Sequence, residues 1–248
     1  MRRPTALLLP LLLGFAAPLH AQQLVAFPVM VTTVTEETVV EETPVDEIGV
    51  DENGNEIADT DSGSDRFVVS DPVPVPRGIA RFGPFRVIDG NHAALVDVTD
   101  ERSPGAFTAM LAAYPAINTL ELVECPGTDD DRANLRLGRL IRARGLATHV
   151  PDGGSVRSGA VELFLAGVRH TADRGAEFAV HSWADEAGRE PGDYPANAPE
   201  NQAYLTYYRD MGLSPVEAKA FYAMTNSVPN ASARWMNAAQ MGQWVRIN

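Results

Sequence analysis

Apolar positions along the chain change period several times, and each change marks an element. Phe85-Arg-Val-Ile and Ala94-Leu-Val-Asp-Val are short β-rich runs on either side of Asp89-Gly90, which predicts a hairpin. Ser103-Pro104 opens a segment with Phe107, Met110, Leu111 and Tyr114 at helical spacing. Thr119-Leu-Glu-Leu-Val reads as a strand running into Cys125-Pro126-Gly127. Asn134 to Gly145 then reads as a basic amphipathic helix, with Leu135, Leu137, Leu140 and Ile141 inward and Gly145 closing it. Ala147-Thr-His-Val is the next strand, followed by a Gly-rich turn, a helix from about Ser158 to Gly167, and the strand Phe178-Ala-Val-His181. This alternation predicts an α/β domain with much parallel pairing. After a polar loop at 184–199, helices are expected over 200–212 and 214–225, the second opened by the capping box Ser214-Pro215 with Glu217.

The first 78 residues have a different character. Arg2-Arg3, the apolar run that follows and Leu19-His20-Ala21 have the layout of a secretory signal peptide, expected to occupy residues 1–21. The run is short and interrupted by Pro10 and Gly14, so a permanent span is not expected. Residues 22–78 read as a flexible segment: β-leaning at first, with twelve acidic side chains over 34–66, then the Pro-rich spacer at 71–78. Asp51 could begin a calcium loop, but Glu56 and Ser62 occupy the positions that need Gly and Glu, so an Asn53-Gly54 turn is the better reading. The globular domain is expected over 79–248.

Charge and cysteine usage narrow the function. The formal charge is −13, and loss of the two leader arginines would take it to −15, which argues against nucleic acid as a partner. Cys125 is the single cysteine, so no disulfide within the chain can form and an ordinary core must supply stability. An exported protein, periplasmic or secreted, is expected.

The stretch with most chemical content is Val150 to Trp183. Ser158 precedes an apolar helix and His181 ends the following strand, and a serine that an imidazole can deprotonate is the minimum for nucleophilic catalysis. Neither Ser155 nor Ser158 lies in a G-x-S-x-G elbow, and the Gly-rich turn lacks the spacing and lysine of a phosphate-binding loop. No cofactor is called for, and His92, His149 and His170 show no zinc-site spacing. Cys125 reads as a small buried hydrophobe, and Asp129-Asp130-Asp131 as a solvated loop.

The ordered set of a strand ending in Pro126-Gly127, the helix NLRLGRLIRARGL, Val156-Arg-Ser158-Gly through Gly167, and Gly175-Ala-Glu-Phe-Ala-Val-His181 resembles the Clp protease/crotonase-like superfamily. Its nearest resemblance is to periplasmic Clp-protease-like proteins of bacteria. The resemblance covers about Phe85 to Trp183, with a weaker match at Trp235-Met-Asn-Ala-Ala. It implies a spiral of ββα units behind the flexible acidic linker, and a serine hydrolase of peptidase type acting through an acyl-enzyme on a peptide or protein. The nucleophile carries over to Ser158 and the general base to His181. The oxyanion turn carries over to Gly127 and Thr128, with the N–H groups of Thr128 and Gly159 as donors. Thr128 replaces the family's second glycine, and no carboxylate occupies 225–230. Asn226, Asn230 and Asp185 are therefore alternatives as the group that orients His181, beside a bare dyad. Arg157 could offset the acidic triplet or bind an anion. The same departures suit a second reading, a catalytically inactive Clp-like binding or scaffolding protein. Crotonase-type acyl-thioester chemistry is a third. Oligomers are common on this fold, so a homo-oligomer is a further expectation.

Overall fold

Among the described residues, short β-branched and aromatic runs build two sheets in a mixed α/β fold, and six helices accompany them. A computed structural model of the protein describes residues 74–248. The expected leader, the acidic run, the Asn53-Gly54 turn and residues 71–73 of the Pro-rich spacer lie outside the described residues. Among the described residues no helix is long and apolar enough to cross a membrane.

The larger sheet has six strands. β1 (Ala80–Phe82), β2 (Phe85–Val87) and β3 (His92–Leu95) form an antiparallel meander, with Phe85 opposite Leu95. β4 (Thr119–Leu122), β6 (Ala147–Val150) and β8 (His170–Ala172) extend it in parallel, giving the order β1-β2-β3-β4-β6-β8. The smaller sheet has the order β10-β9-β7-β5, from β5 (Glu124–Cys125), β7 (Ser155–Arg157), β9 (Glu177–Val180) and β10 (Arg234–Asn237). β5, β7 and β9 are parallel, and β10 closes the edge antiparallel to β9.

The run Thr119–Val123 is one strand by pattern, yet the chain crosses between sheets there. β4 belongs to the large sheet and β5 to the small one, with Val123 buried at the crossing against Ala94 and Val96. The same crossing recurs between β6 and β7 and between β8 and β9. Two strands and a helix thus form a repeated unit: β4-β5-α2 (Asp131–Ala143) and β6-β7-α3 (Ala160–Ala166).

α1 (Ser103–Ala113) begins with Pro104 in its first turn and buries Phe107, Met110 and Leu111; Tyr114 is the half-buried residue after it. α2 starts three residues before the position that periodicity marks. The Asp130 carboxylate accepts a hydrogen bond from Ala133 N at 2.9 Å and caps it, so the acidic triplet is a helix start rather than a free loop. Asp131 adds negative charge to the first turn, where the helix dipole favours it. Gly145, with φ of +71°, takes the turn that follows the helix. α3 is buried at every residue, which explains its unbroken apolar run around Glu162.

α4 (Pro199–Asp210) and α5 (Pro215–Thr225) lie against this frame, and α5 carries the expected capping box of Ser214 and Glu217. Tyr207 and Tyr208 of α4 are fully buried. A short α6 (Ala238–Met241) follows β10.

Candidate active site

The parallel strands of the smaller sheet end on a common side, and three of the expected site segments leave from those ends. β5 runs into Gly127-Thr128, β7 into Ser158-Gly159, and β9 into His181. In parallel α/β sheets the carboxyl ends of strands are where ligand sites form.

Ser158 occupies the sharp passage from β7 into α3. Its N–H donates to Ala179 O at 2.9 Å, continuing the β7–β9 ladder by one bond, and its carbonyl accepts from Val161 N at 3.0 Å, beginning the helix. Between those two commitments it adopts φ of +51°, the one positive φ of a non-glycine residue among the described residues. Such a conformation costs about 1–2 kcal/mol in an L-residue. A G-x-S-x-G sequence is not needed for this geometry; the strand, the serine and the helix suffice.

Two glycines make room for it. A Cβ on Gly127, which holds φ of +138°, would meet Ser158 Cβ at 2.9 Å and its Oγ at 3.3 Å. A Cβ on Gly159 would meet Thr128 Cγ2 at 2.6 Å. The two turns therefore face each other at closest approach. Thr128 keeps a negative φ, so its Cβ does not distort the turn as its replacement of glycine suggests it should. Among the described residues no backbone acceptor pairs with the N–H of Thr128 or of Gly159.

A polar network locks the two turns in place. Buried Asn134 donates to Gly159 O at 2.6 Å and accepts from Thr99 Oγ1 at 3.0 Å. Thr99 N donates to Gly127 O at 3.1 Å, and Thr128 Oγ1 donates to Thr99 O at 3.1 Å. Asn134 and Thr99 are positioning residues that periodicity does not find, because their partners lie 25 to 35 residues away.

His181 is half-buried and lines, together with Ser158 and Thr128, two cavities that share the serine. Its Nδ1 lies 2.9 Å from Ser182 O, a contact that is a hydrogen bond in the tautomer with the proton on Nδ1, which leaves Nε2 as the acceptor. Among the described residues no hydrogen bond joins the imidazole to Ser158 Oγ.

The three alternatives for an orienting group separate clearly. Asn230 Nδ2 donates to Ser182 O at 2.8 Å and lies 3.2 Å from His181 Nδ1. Asn226 accepts from Trp183 N at 3.3 Å and donates to Tyr222 O at 2.8 Å, so it holds the end of α5 against the chain after His181 and does not meet the ring. Asp185 accepts from Tyr194 Oη at 2.5 Å and from Arg189 Nε at 2.8 Å, which hold its carboxyl well below the usual range and remove it from the site.

Arg157 is likewise spent elsewhere. It pairs with Glu124 at 2.7 Å and donates to Ser155 Oγ at 3.0 Å, so its charge is matched within the protein. Cys125 is fully buried and desolvation raises its thiol pKa well above normal, which makes it a core residue.

Two carboxyls face the cavity beside Ser158. Glu162 is 6% exposed and accepts from Tyr208 Oη at 2.7 Å; desolvation pushes its pKa up to about 7. Asp131 reaches solvent at the cavity mouth, yet the walls around it also raise its pKa, with Asp130 adding to the shift and Tyr204 and His181 opposing it.

No family model matches the chain, and no curated protein matches it. Among solved structures the fold is similar to the 1510-N membrane-bound stomatin-specific protease, solved as a mutant in complex with a substrate peptide. The TM-score is 0.41 at 11% identity, over 64% of this chain and 74% of that one. A likeness that distant does not bear on function.

Proposed function

We propose that this chain is an exported serine hydrolase of peptidase type, built on a Clp protease/crotonase-like spiral of ββα units. The observation that carries the reading is Ser158. A serine held at φ of +51° between strand and helix, over a glycine that leaves its hydroxyl room, is strained backbone at a chemically useful place.

In this reading Ser158 Oγ attacks a substrate carbonyl carbon while His181 Nε2 takes the hydroxyl proton. The carbonyl π electrons move onto oxygen, which the N–H groups of Thr128 and Gly159 receive. Each such donor contributes about 10²–10³ in rate. Collapse expels the amine or alcohol, which carries away the proton held on His181, and water then hydrolyses the acyl-serine by the same steps. The Ser182 carbonyl, which Asn230 Nδ2 steadies by donating to it, accepts from Nδ1–H and so holds the imidazole in the required tautomer, in place of a carboxylate.

No hydrogen bond joins Ser158 and His181 among the described residues, and no carboxylate contacts the imidazole Nδ1. These facts favour the second reading, a Clp-like binding or scaffolding protein without activity. A fluorophosphonate probe separates the two. The hydrolase is labelled on Ser158, labelling vanishes in Ser158→Ala, and it slows by about 10²-fold or more in His181→Ala. Absence of labelling on folded protein overturns the hydrolase reading.

A further inference from the structure

The cavity beside Ser158 has a volume of about 160 Å³, and its walls are unequal in charge. Glu162, in the first turn of α3, and Asp131, at the start of α2, both line it. Among the described residues no lysine or arginine does, and the only ionisable nitrogen there is the imidazole of His181. Trp183, Tyr204 and Tyr208 give the wall an aromatic part, beside the neutral polar side chains of Thr225, Asn226 and Asn230. Trp183 stacks on Tyr204 with ring planes 6° apart at 6.3 Å, and Tyr204 leans on Tyr208 at 6.4 Å.

A carboxyl as deeply buried as Glu162 is ordinarily matched by a cation or replaced by an apolar residue. Here its carboxyl meets the neutral hydroxyl of Tyr208, at 2.7 Å, and no cation among the described residues. Tyr207 Oη donates to its backbone carbonyl instead, at 2.6 Å. Burial without a countercharge is what pushes its pKa to about 7, and Asp131 nearby pushes the same way. The cavity is therefore short of positive charge on the side next to the nucleophile. Flat ring faces suit an alkyl stem or a cation, and the carboxyls suit its charged head.

We infer that this cavity is the subsite for a lysine or arginine side chain, on the substrate residue whose carbonyl Ser158 attacks. Glu162 and Asp131 are then specificity-determining residues. The inference rests on the proposed acylation of Ser158 for its place in a reaction, but the cation preference of the cavity can be measured without catalysis.

The test uses the full chain carrying Ser158→Ala, titrated calorimetrically with two amidated tripeptides, acetyl-Ala-Ala-Lys and acetyl-Ala-Ala-norleucine. The lysine peptide is expected to bind at least about tenfold tighter, as for one buried charge-assisted contact. That preference should disappear when Glu162→Gln is added. Should Glu162→Gln fail to fold, Asp131→Asn at the exposed start of α2 tests the same contrast and should reduce the preference several-fold. Equal binding, tighter norleucine binding, no measurable binding of either peptide, or a preference that folded Glu162→Gln or Asp131→Asn protein retains in full overturns the inference. Fluorophosphonate labelling of the unaltered protein is scored separately. Labelling without lysine preference leaves the hydrolase and removes the subsite, whereas lysine preference without labelling leaves a cation-binding cavity and removes the hydrolase.

Discussion

At Ser158 the backbone and the chemistry make opposing demands. The αL conformation crowds Cβ in any L-residue and is free of that penalty only in glycine. Ser158→Gly should therefore be more stable than Ser158→Ala by about 1 kcal/mol, read as a melting temperature about 2–4 °C higher, while both lose probe labelling. Equal melting of the two variants would show that the turn is unstrained. Glu162 gives a second measurable cost. Its pKa rises from the ordinary value of 4.5 in the unfolded chain to about 7 in the fold, so the folded state binds more protons between those values. The contribution of Glu162 to stability should be most favourable below about pH 4.5, fall as pH rises from there to about 7, and level off above it. The loss is on the order of 3 kcal/mol at full ionisation, and Glu162→Gln should flatten it in denaturant titrations run from about pH 5 to 8. Residue types and their order along the chain make Ser158, His181 and the Gly127-Thr128 turn legible in the sequence. Asn134, Thr99 and the choice of Asn230 over Asn226 are not legible there, because each depends on a partner brought near only by the sheet crossings.

At the scale of elements, long amphipathic segments are easily read and three-residue strands are not. α1, α4, α5 and β6 follow the hydrophobic pattern to within about two residues. β1, β7 and β8 escape it, since β7 has the burial pattern of two buried residues and one half-buried, and β8 is half-buried throughout. Neither shows alternation that three residues could make visible. The crossing at Val123 is equally hidden, because both halves of that strand bury apolar side chains in different sheets. Packing between helices is more exacting than pattern. Gly138 in the middle of α2 lies against Tyr207 of α4, and an added methyl would overlap the Tyr207 hydroxyl and crowd its ring carbons at 2.7 and 2.8 Å. The hydroxyl cannot swing away without losing Glu162 O, and the ring is fully buried. Gly138→Ala would gain helix propensity on an exposed helix, yet here it should destabilise the protein by about 1–3 kcal/mol through overpacking. Urea denaturation measures it, and a stabilised variant would mean that α4 yields freely.

Across the whole molecule the question is whether α4 and α5 form part of one cooperative structure with the sheets or a clamp that opens alone. The contacts favour the first. Tyr207 and Tyr208 both bond to Glu162 of α3, Arg142 of α2 donates to Met211 O at the end of α4, and Arg139 of α2 pairs with Asp210 at 2.8 Å. Detaching α4 would expose two tyrosines and leave a buried carboxyl without its hydroxyl partner, a large cost for a local opening. Cys125 offers a clean reporter within the smaller sheet. It is the only thiol in the chain, lies in β5 with no exposed surface, and bonds to Leu95 O at 3.4 Å. Burial keeps it protonated and unreactive while the sheet is intact. Alkylation of Cys125 by iodoacetamide should therefore share one denaturant midpoint with the loss of near-ultraviolet tyrosine and tryptophan signal, much of which arises from Trp183, Tyr204, Tyr207, Tyr208 and Tyr222 around α4. Gly138→Ala should lower both midpoints together. An aromatic signal lost at lower denaturant than thiol protection would establish that the helical pair opens first, and that the cavity beside Ser158 is walled by a separable element.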